Sequence, residues 1–341
     1  MTELDIIETM PSRFGHQTHS EALLEAETRE TWLVEGLISA TSTLIYGEAK
    51  VGKSFLTSAL IAALVSGEPF LDVPTPTDRD FRIAVCWTDD GGAADYASQV
   101  QGVIPEDTDA PIDYYVLPSM RPADWQALFE ELTLNGTTLV VIDNLTQALD
   151  GSINQDDVVR SFFDGVRLFT RAGIPVVIIG HSSDKSMPNG ATPDKPMGSS
   201  VISQSVRWRV FVRRSRKGNL TLKFSGNYAE PHEITLRHGA GARFEIVDTK
   251  SAEQVRADAE TRSQQRDKGT LDLNKRIADW LVANGQGKGV NEAAVALAAT
   301  GEFGSSSKET MRSKINATGA VGKMLNRTGT GASTRWTHKS A

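Results

Sequence analysis

Two stretches of this chain are apolar without alternation, Thr138-Leu139-Val140-Val141-Ile142-Asp143 and Val176-Val177-Ile178-Ile179-Gly180-His181. Strands buried on both faces of a parallel sheet read this way. Thr43-Leu44-Ile45-Tyr46, Phe81 to Trp87 and Ile112 to Leu117 read as further strands. Helical spacing falls between them, over Phe55 to Leu64, Ala94 to Val103, Pro122 to Leu134 and Val158 to Arg171. The third of these puts Trp125, Leu128, Phe129 and Leu132 on one face. The fourth turns Val159, Phe162, Phe163, Val166 and Phe169 inward. Strands alternating with helices predict an α/β fold with a mostly parallel sheet. Val206 to Val212 alternates as a strand does. Leu220 to Phe224 and about two more strands within His232 to Val247 would complete the sheet edge.

Composition sets the boundaries. Residues 1–30 are polar and acidic and read as a flexible or docking arm. Residues 31–248 carry the sheet pattern. Residues 249–270 are highly charged, almost without large apolar side chains, and read as a linker or a solvated helix. Residues 271–341 form a small domain of three helices and a hairpin, resembling a winged helix. Leu273, Ile277, Trp280 and Leu281 line its first helix, and Asn291 to Ala299 is its second. Ser306-Ser307-Lys308-Glu309 caps the third, and Gly322 to Leu325 with Thr334 to Thr337 makes the hairpin. The whole chain carries −7, yet from residue 268 onward eleven Lys/Arg face five Asp/Glu. A basic tail of about +6 on an acidic body suits contact with nucleic acid; a solvated basic face is the alternative. Lys308, Arg312 and Lys314 on the third helix, with Arg327 and Arg335 on the hairpin, would meet phosphates.

Hydrophobic content is 39% and charged content 23%, ordinary for a globular protein. Cys86 is the sole cysteine, so no disulfide framework exists and a reducing compartment fits. The acidic N-terminus lacks a signal-peptide pattern, and the longest apolar run, Ala59 to Val65, is too short to cross a bilayer. A cytoplasmic protein without membrane partners is expected.

The strongest chemical signal is Gly47-Glu48-Ala49-Lys50-Val51-Gly52-Lys53-Ser54, which fits G-x-x-x-x-G-K-[ST] between a strand and a helix. Glycines let backbone N–H groups turn onto phosphate oxygens, and the helix N-terminus adds to the positive field. Lys53 would reach the β- and γ-phosphates, and the Ser54 hydroxyl would hold Mg²⁺. Asp143 closes the strand Thr138 to Ile142, where a carboxylate would complete the metal shell. Asp89 and Asp90 end the strand after the P-loop helix. Either could orient and deprotonate an attacking water; as a bland alternative both are turn formers before Gly91-Gly92. His181 ends another strand, either facing the γ-phosphate or as a structural histidine. The long polar loop Ser182 to Pro196 is a candidate functional loop. Arg213-Arg214-Ser215-Arg216-Lys217-Gly218-Asn219 is a basic turn, either a solvated hairpin tip or an arginine finger for a neighbouring subunit.

Taken together, several stretches resemble the RepA-type hexameric replicative helicase family of RecA-fold ATPases, related more distantly to the DnaB helicases. They are WLVEGLI, LIYGEAKVGKSF, GEPFLDVP, the strand ending in Asp89-Asp90, LVVIDNL, VVIIGHSSDK, MGSSVISQSVRW and RRSRKGN. They span Trp32 to Val247, about two thirds of the chain. The resemblance implies a RecA-like P-loop NTPase core that binds ATP and Mg²⁺ through Gly47 to Ser54, with Asp143 at the magnesium site. It implies a sensing role for His181, with Lys185 as the lysine that follows it, and cross-subunit fingers at Arg214 and Arg216. It further implies a homo-hexamer acting on single-stranded DNA; the winged-helix-like tail, outside the resemblance, leaves duplex DNA or a replication protein as its own expected partner. One departure stands out: the family's usual catalytic Glu is Asp89 here. A base held about one methylene further from its water predicts slow hydrolysis, or a shift of the role to Asp90. Two further expectations compete with a helicase: an ATP-switched DNA-binding or loader protein, and a recombinase-like filament.

Overall fold

The apolar runs assemble into one large sheet, and the periodic segments between them cover its two faces. The computed structural model describes residues 16–106, 108, 110–183, 194–215, 217–303 and 307–339. The chain divides into two units, Met1–Val255 and Arg256–Ala341.

In the first unit, α1 (His19–Thr28) is closed at its N-terminus by a capping box from Thr18 and Glu21 and buries no side chain. A short hairpin, β1 (Trp32–Val34) and β2 (Ile38–Ser39), leads into β3 (Ser42–Gly47) and α2 (Lys53–Ser66). Then follow β4 (Ile83–Trp87), α3 (Gly92–Gln101), β5 (Ile112–Val116), α4 (Pro122–Leu134) and β6 (Leu139–Asp143). The short α5 (Leu145–Ala148), α6 (Asp156–Arg171), β7 (Val176–His181) and α7 (Val201–Ser205) come next. Four strands close the unit: β8 (Trp208–Arg214), β9 (Leu220–Gly226), β10 (His232–His238) and β11 (Phe244–Lys250).

The nine-stranded sheet has the order β5-β4-β6-β7-β3-β8-β9-β10-β11. Every neighbour pair from β5 to β8 is parallel, and β8 to β11 pair antiparallel. This is the mostly parallel sheet of a RecA-like P-loop core. The chain leaves β3 over β7 and β6 to reach β4, then returns. Such a reversal opens a crevice at the carboxyl ends of the strands, where ligands of open α/β sheets bind. Because strand side chains alternate, the sheet has two cores. On one face Ile45, Val85, Val141 and Val177 pack with Leu56, Leu60 and Ile61 of α2 and with Tyr96 and Val100 of α3. On the other, Leu44, Val140, Ile142 and Ile178 meet Trp125 of α4 and Phe162, Phe163 and Phe169 of α6. Gly165 is where α6 comes closest to α4: a Cβ there would lie 2.3 Å from the Trp125 ring.

Of the two readings of the charged stretch 249–270, a linker or a solvated helix, the structure shows the helix. The stretch begins in β11 and continues from Ala252 in a single helix, α8 (Ala252–Asn284). The C-terminal half of α8 carries Ile277, Ala278 and Leu281 into the core of the second unit. There α9 (Val290–Thr300), α10 (Lys308–Ile315) and a hairpin of β12 (Leu325–Thr328) with β13 (Arg335–His338) surround Met311, Ile315 and Trp336. The expected strand Gly322 to Leu325 differs: Gly322–Met324 is a 3-10 turn and β12 begins at Leu325. A Cβ at Gly322 would sit 1.8 Å from the Asn316 carbonyl, so the chain must pass there with no side chain. Among the described residues, no helix is long and apolar enough to cross a membrane.

Candidate functional site

The P-loop leaves β3 at Gly47, where the backbone lies against β8. A Cβ at Gly47 would meet the Val212 carbonyl oxygen at 2.2 Å, so glycine is required. Gly52 has φ +113°, a conformation that side chains resist, and it starts α2. Lys53 opens that helix and is buried, 6% exposed. Its Nζ donates to the carbonyls of Gly47 (3.2 Å) and Glu48 (2.8 Å) of its own loop. Burial lowers its pKa to about 8, with the nearby Asp143 charge opposing the shift.

Asp143 ends β6, one strand removed from β3 across β7. Its Oδ2 accepts from Ser54 Oγ at 3.0 Å and from the Tyr96 hydroxyl at 2.7 Å. Burial pushes this carboxyl above its usual range, and the two hydroxyls and the Lys53 ammonium pull it back. The Asp143–Asn144 peptide is cis. Thr88 ties the end of β4 to this turn: its N–H donates to the Asp143 carbonyl at 2.9 Å and its Oγ accepts from Asn144 N–H at 3.1 Å.

Asp89 and Asp90 follow β4 and are exposed. His181 ends β7 in register with Gly47, so the two ends lie side by side. Lys53, Ser54, Asp89, Asp143, His181 and Arg214 all line one cavity of about 500 Å³ at the carboxyl ends of the parallel strands. Asp90 lines it too, so proximity does not choose between the two aspartates as base. Of the expected phosphate cradle Gly47 to Ser54, the residues Ala49, Lys50, Gly52, Lys53 and Ser54 line this cavity.

Arg214, expected as a cross-subunit finger, donates within its own chain from its guanidinium to the Val51 carbonyl of the P-loop at 3.1 Å. The reason is sheet order: β8 is the parallel neighbour of β3, so its last residue lies beside the loop that β3 feeds. Arg216, Lys185 and most of the Ser182–Pro196 loop lie outside the described residues. Ser182 and Pro196 themselves pair in an isolated bridge at the base of that loop.

Tyr96 is the site residue that the sequence did not single out. It lies within a helix that reads as an ordinary amphipathic segment, four residues before the buried Val100. The available signal was chemical: a tyrosine on a buried helix face needs a partner for its hydroxyl.

The oxygen donors fit a small hard cation. A serine hydroxyl and a carboxylate stand together, and Mg²⁺ takes few protein ligands, completing its shell from water and phosphate.

A family model described as AAA domain matches residues 10–187, which include the P-loop, Asp89, Asp143 and His181. The chain belongs to this AAA domain family. No curated protein matches it. Membership in this family makes the chain a nucleotide-hydrolysing P-loop ATPase. The match stops within the loop after β7, so β8 with Arg214 and the whole second unit lie beyond the family region.

Proposed function

We propose that this protein is an oligomeric, hexameric Mg²⁺-dependent ATPase that acts on single-stranded DNA, most plainly as a replicative helicase. The observation that carries the ATPase part is the meeting of Lys53, Ser54, Asp143, His181 and Asp89 in one cavity. Lys53 would bind the β- and γ-phosphates, and Ser54 with Asp143 would hold Mg²⁺, which neutralises phosphate charge. Asp89 would orient and deprotonate the attacking water. His181 would contact the γ-phosphate from the next strand. Arg214 reaches the cavity from its own chain, which leaves Arg216 as the finger proposed for the neighbouring subunit.

The DNA part rests on the second unit, which we read as a winged-helix-like module. Lys308, Arg312 and Lys314 are on α10, and Arg327 and Arg335 are on the hairpin strands. Phosphate contacts by such a set would make binding fall steeply with salt.

The shorter Asp89 favours a second reading, an ATP-switched DNA-binding or loader protein with slow turnover. Hydrolysis measured with and without single-stranded DNA, with particle mass in a non-hydrolysable ATP analogue, separates the two. DNA-stimulated turnover by a closed ring is expected for the motor. Nucleotide-dependent assembly with negligible turnover would replace it with the switch.

A further inference from the structure

Asp143 Oδ2 is held by two hydroxyls of different standing. Ser54 is the P-loop serine, and its oxygen is a ligand in the metal reading above. Tyr96 is not part of the loop. It stands on α3, is 3% exposed, and donates to the same oxygen across 2.7 Å. Its ring is locked in the core that α3 shares with α2, so the phenol has a fixed place. A carboxylate at a strand end can rotate about its Cβ–Cγ bond, and a buried donor that cannot follow it removes that freedom.

We infer that Tyr96 is a positioning residue for the metal site: its phenol holds the Asp143 carboxylate in place beside Ser54, the other oxygen donor of the cation shell. This rests on reading the cavity as an Mg²⁺–nucleotide site. Tyrosine is required in place of phenylalanine because only the hydroxyl supplies the donor. Groups that orient metal ligands in this way typically contribute 10–100-fold to metal affinity.

The test is Tyr96→Phe, with binding of a fluorescent ribose-labelled ADP followed at rising Mg²⁺ and in chelator. Ser58→Ala is the control. Ser58 also joins α2 to α3, through Gln99 at 2.9 Å, but makes no contact with Asp143. The expected result is wild-type ADP affinity in chelator for both variants, with about 10-fold more Mg²⁺ needed for half-maximal enhancement only in Tyr96→Phe. An unchanged Mg²⁺ requirement in Tyr96→Phe would overturn the inference. Equal effects of both variants, or lost ADP binding in chelator, would also overturn it, since Tyr96 would then be supporting helix packing. Failure of the wild-type protein to bind the labelled ADP under any condition would remove the nucleotide-site reading itself.

Discussion

Ser54 Oγ donates to Asp143 Oδ2 at 3.0 Å, joining the first turn of α2 to the end of β6 across an intervening strand. The hydroxyl and the carboxylate are thus placed before any ligand arrives. Replacing Asp143 with Asn keeps the shape and removes the charge. Turnover should fall by at least about 10²-fold, with nucleotide binding in chelator close to wild type. Rate against Mg²⁺ concentration checks this. Asp143→Asn turnover equal to wild type would exclude the carboxylate from the metal site.

Asp89 and Asp90 both border the cavity, but they differ in what substitution should do. Asp89→Asn is expected to lower turnover about 10²-fold or more at unchanged nucleotide affinity, and Asp90→Asn to leave turnover within about threefold. Asp89→Glu should accelerate the reaction, because the added methylene brings the base toward the water. Steady-state hydrolysis of the three variants decides it. A collapse in Asp90→Asn alone would move the base by one residue.

Lys53 gives a pH signature. Its pKa is lowered to about 8, so below that pH the ammonium is charged, and above it the nucleotide-free protein holds a neutral amine. A bound polyphosphate favours the charged form. Nucleotide binding near pH 9 should therefore take up about one proton, and near pH 7 almost none. Affinity should weaken as pH rises above about 8. Calorimetry in buffers of different ionisation heat reads the proton count directly. Equal uptake at both pH values would rule out Lys53 as the titrating group.

Arg214 touches its own P-loop, and that has a consequence for mixed assemblies. Arg214→Ala should weaken nucleotide binding about 10-fold in each chain. Mixing it with Lys53→Ala chains should restore no activity, because every mixed site still lacks one group. Recovery of turnover on mixing would show that Arg214 serves the neighbour.

The contact of Gly165 with Trp125 supplies a stability prediction. Both are buried, and a methyl group at position 165 would overlap the indole ring. Gly165→Ala should destabilise the fold by about 1–3 kcal/mol, measured by denaturant unfolding. The gain in helix propensity from Gly to Ala, at most about 1 kcal/mol, is too small to offset the clash.

Much of the fold was legible because its signals are local. Pro122–Leu134 and Val176–His181 appear with the bounds that their apolar spacing predicts, and the polar residues closing the buried strands, Asp143 and His181, do border one cavity. What escaped depends on packing between distant elements. Tyr96 looks like core until α3 is laid on α2 and its hydroxyl meets Asp143. The contact of Arg214 with its own P-loop emerges only once β8 is paired with β3. The charged run before α9 left a linker and a solvated helix open because it lacks apolar residues; the helix is what forms, as α8, continuous with the apolar turns around Ile277 and Leu281. Helix extension needs few tertiary contacts once a segment is nucleated.

The two hydrogen bonds that Lys53 makes to Gly47 and Glu48 also set a threshold for entry. The loop is its own first ligand: its cation already rests on its own carbonyls. An incoming anion must draw the lysine away and replace both bonds. A lone inorganic phosphate has only its own few oxygens to offer for that exchange. A di- or triphosphate can engage the loop amides with one phosphate while another takes the lysine. On the nucleotide reading, these two bonds would favour a polyphosphate over a lone phosphate before any part of the base or sugar is read.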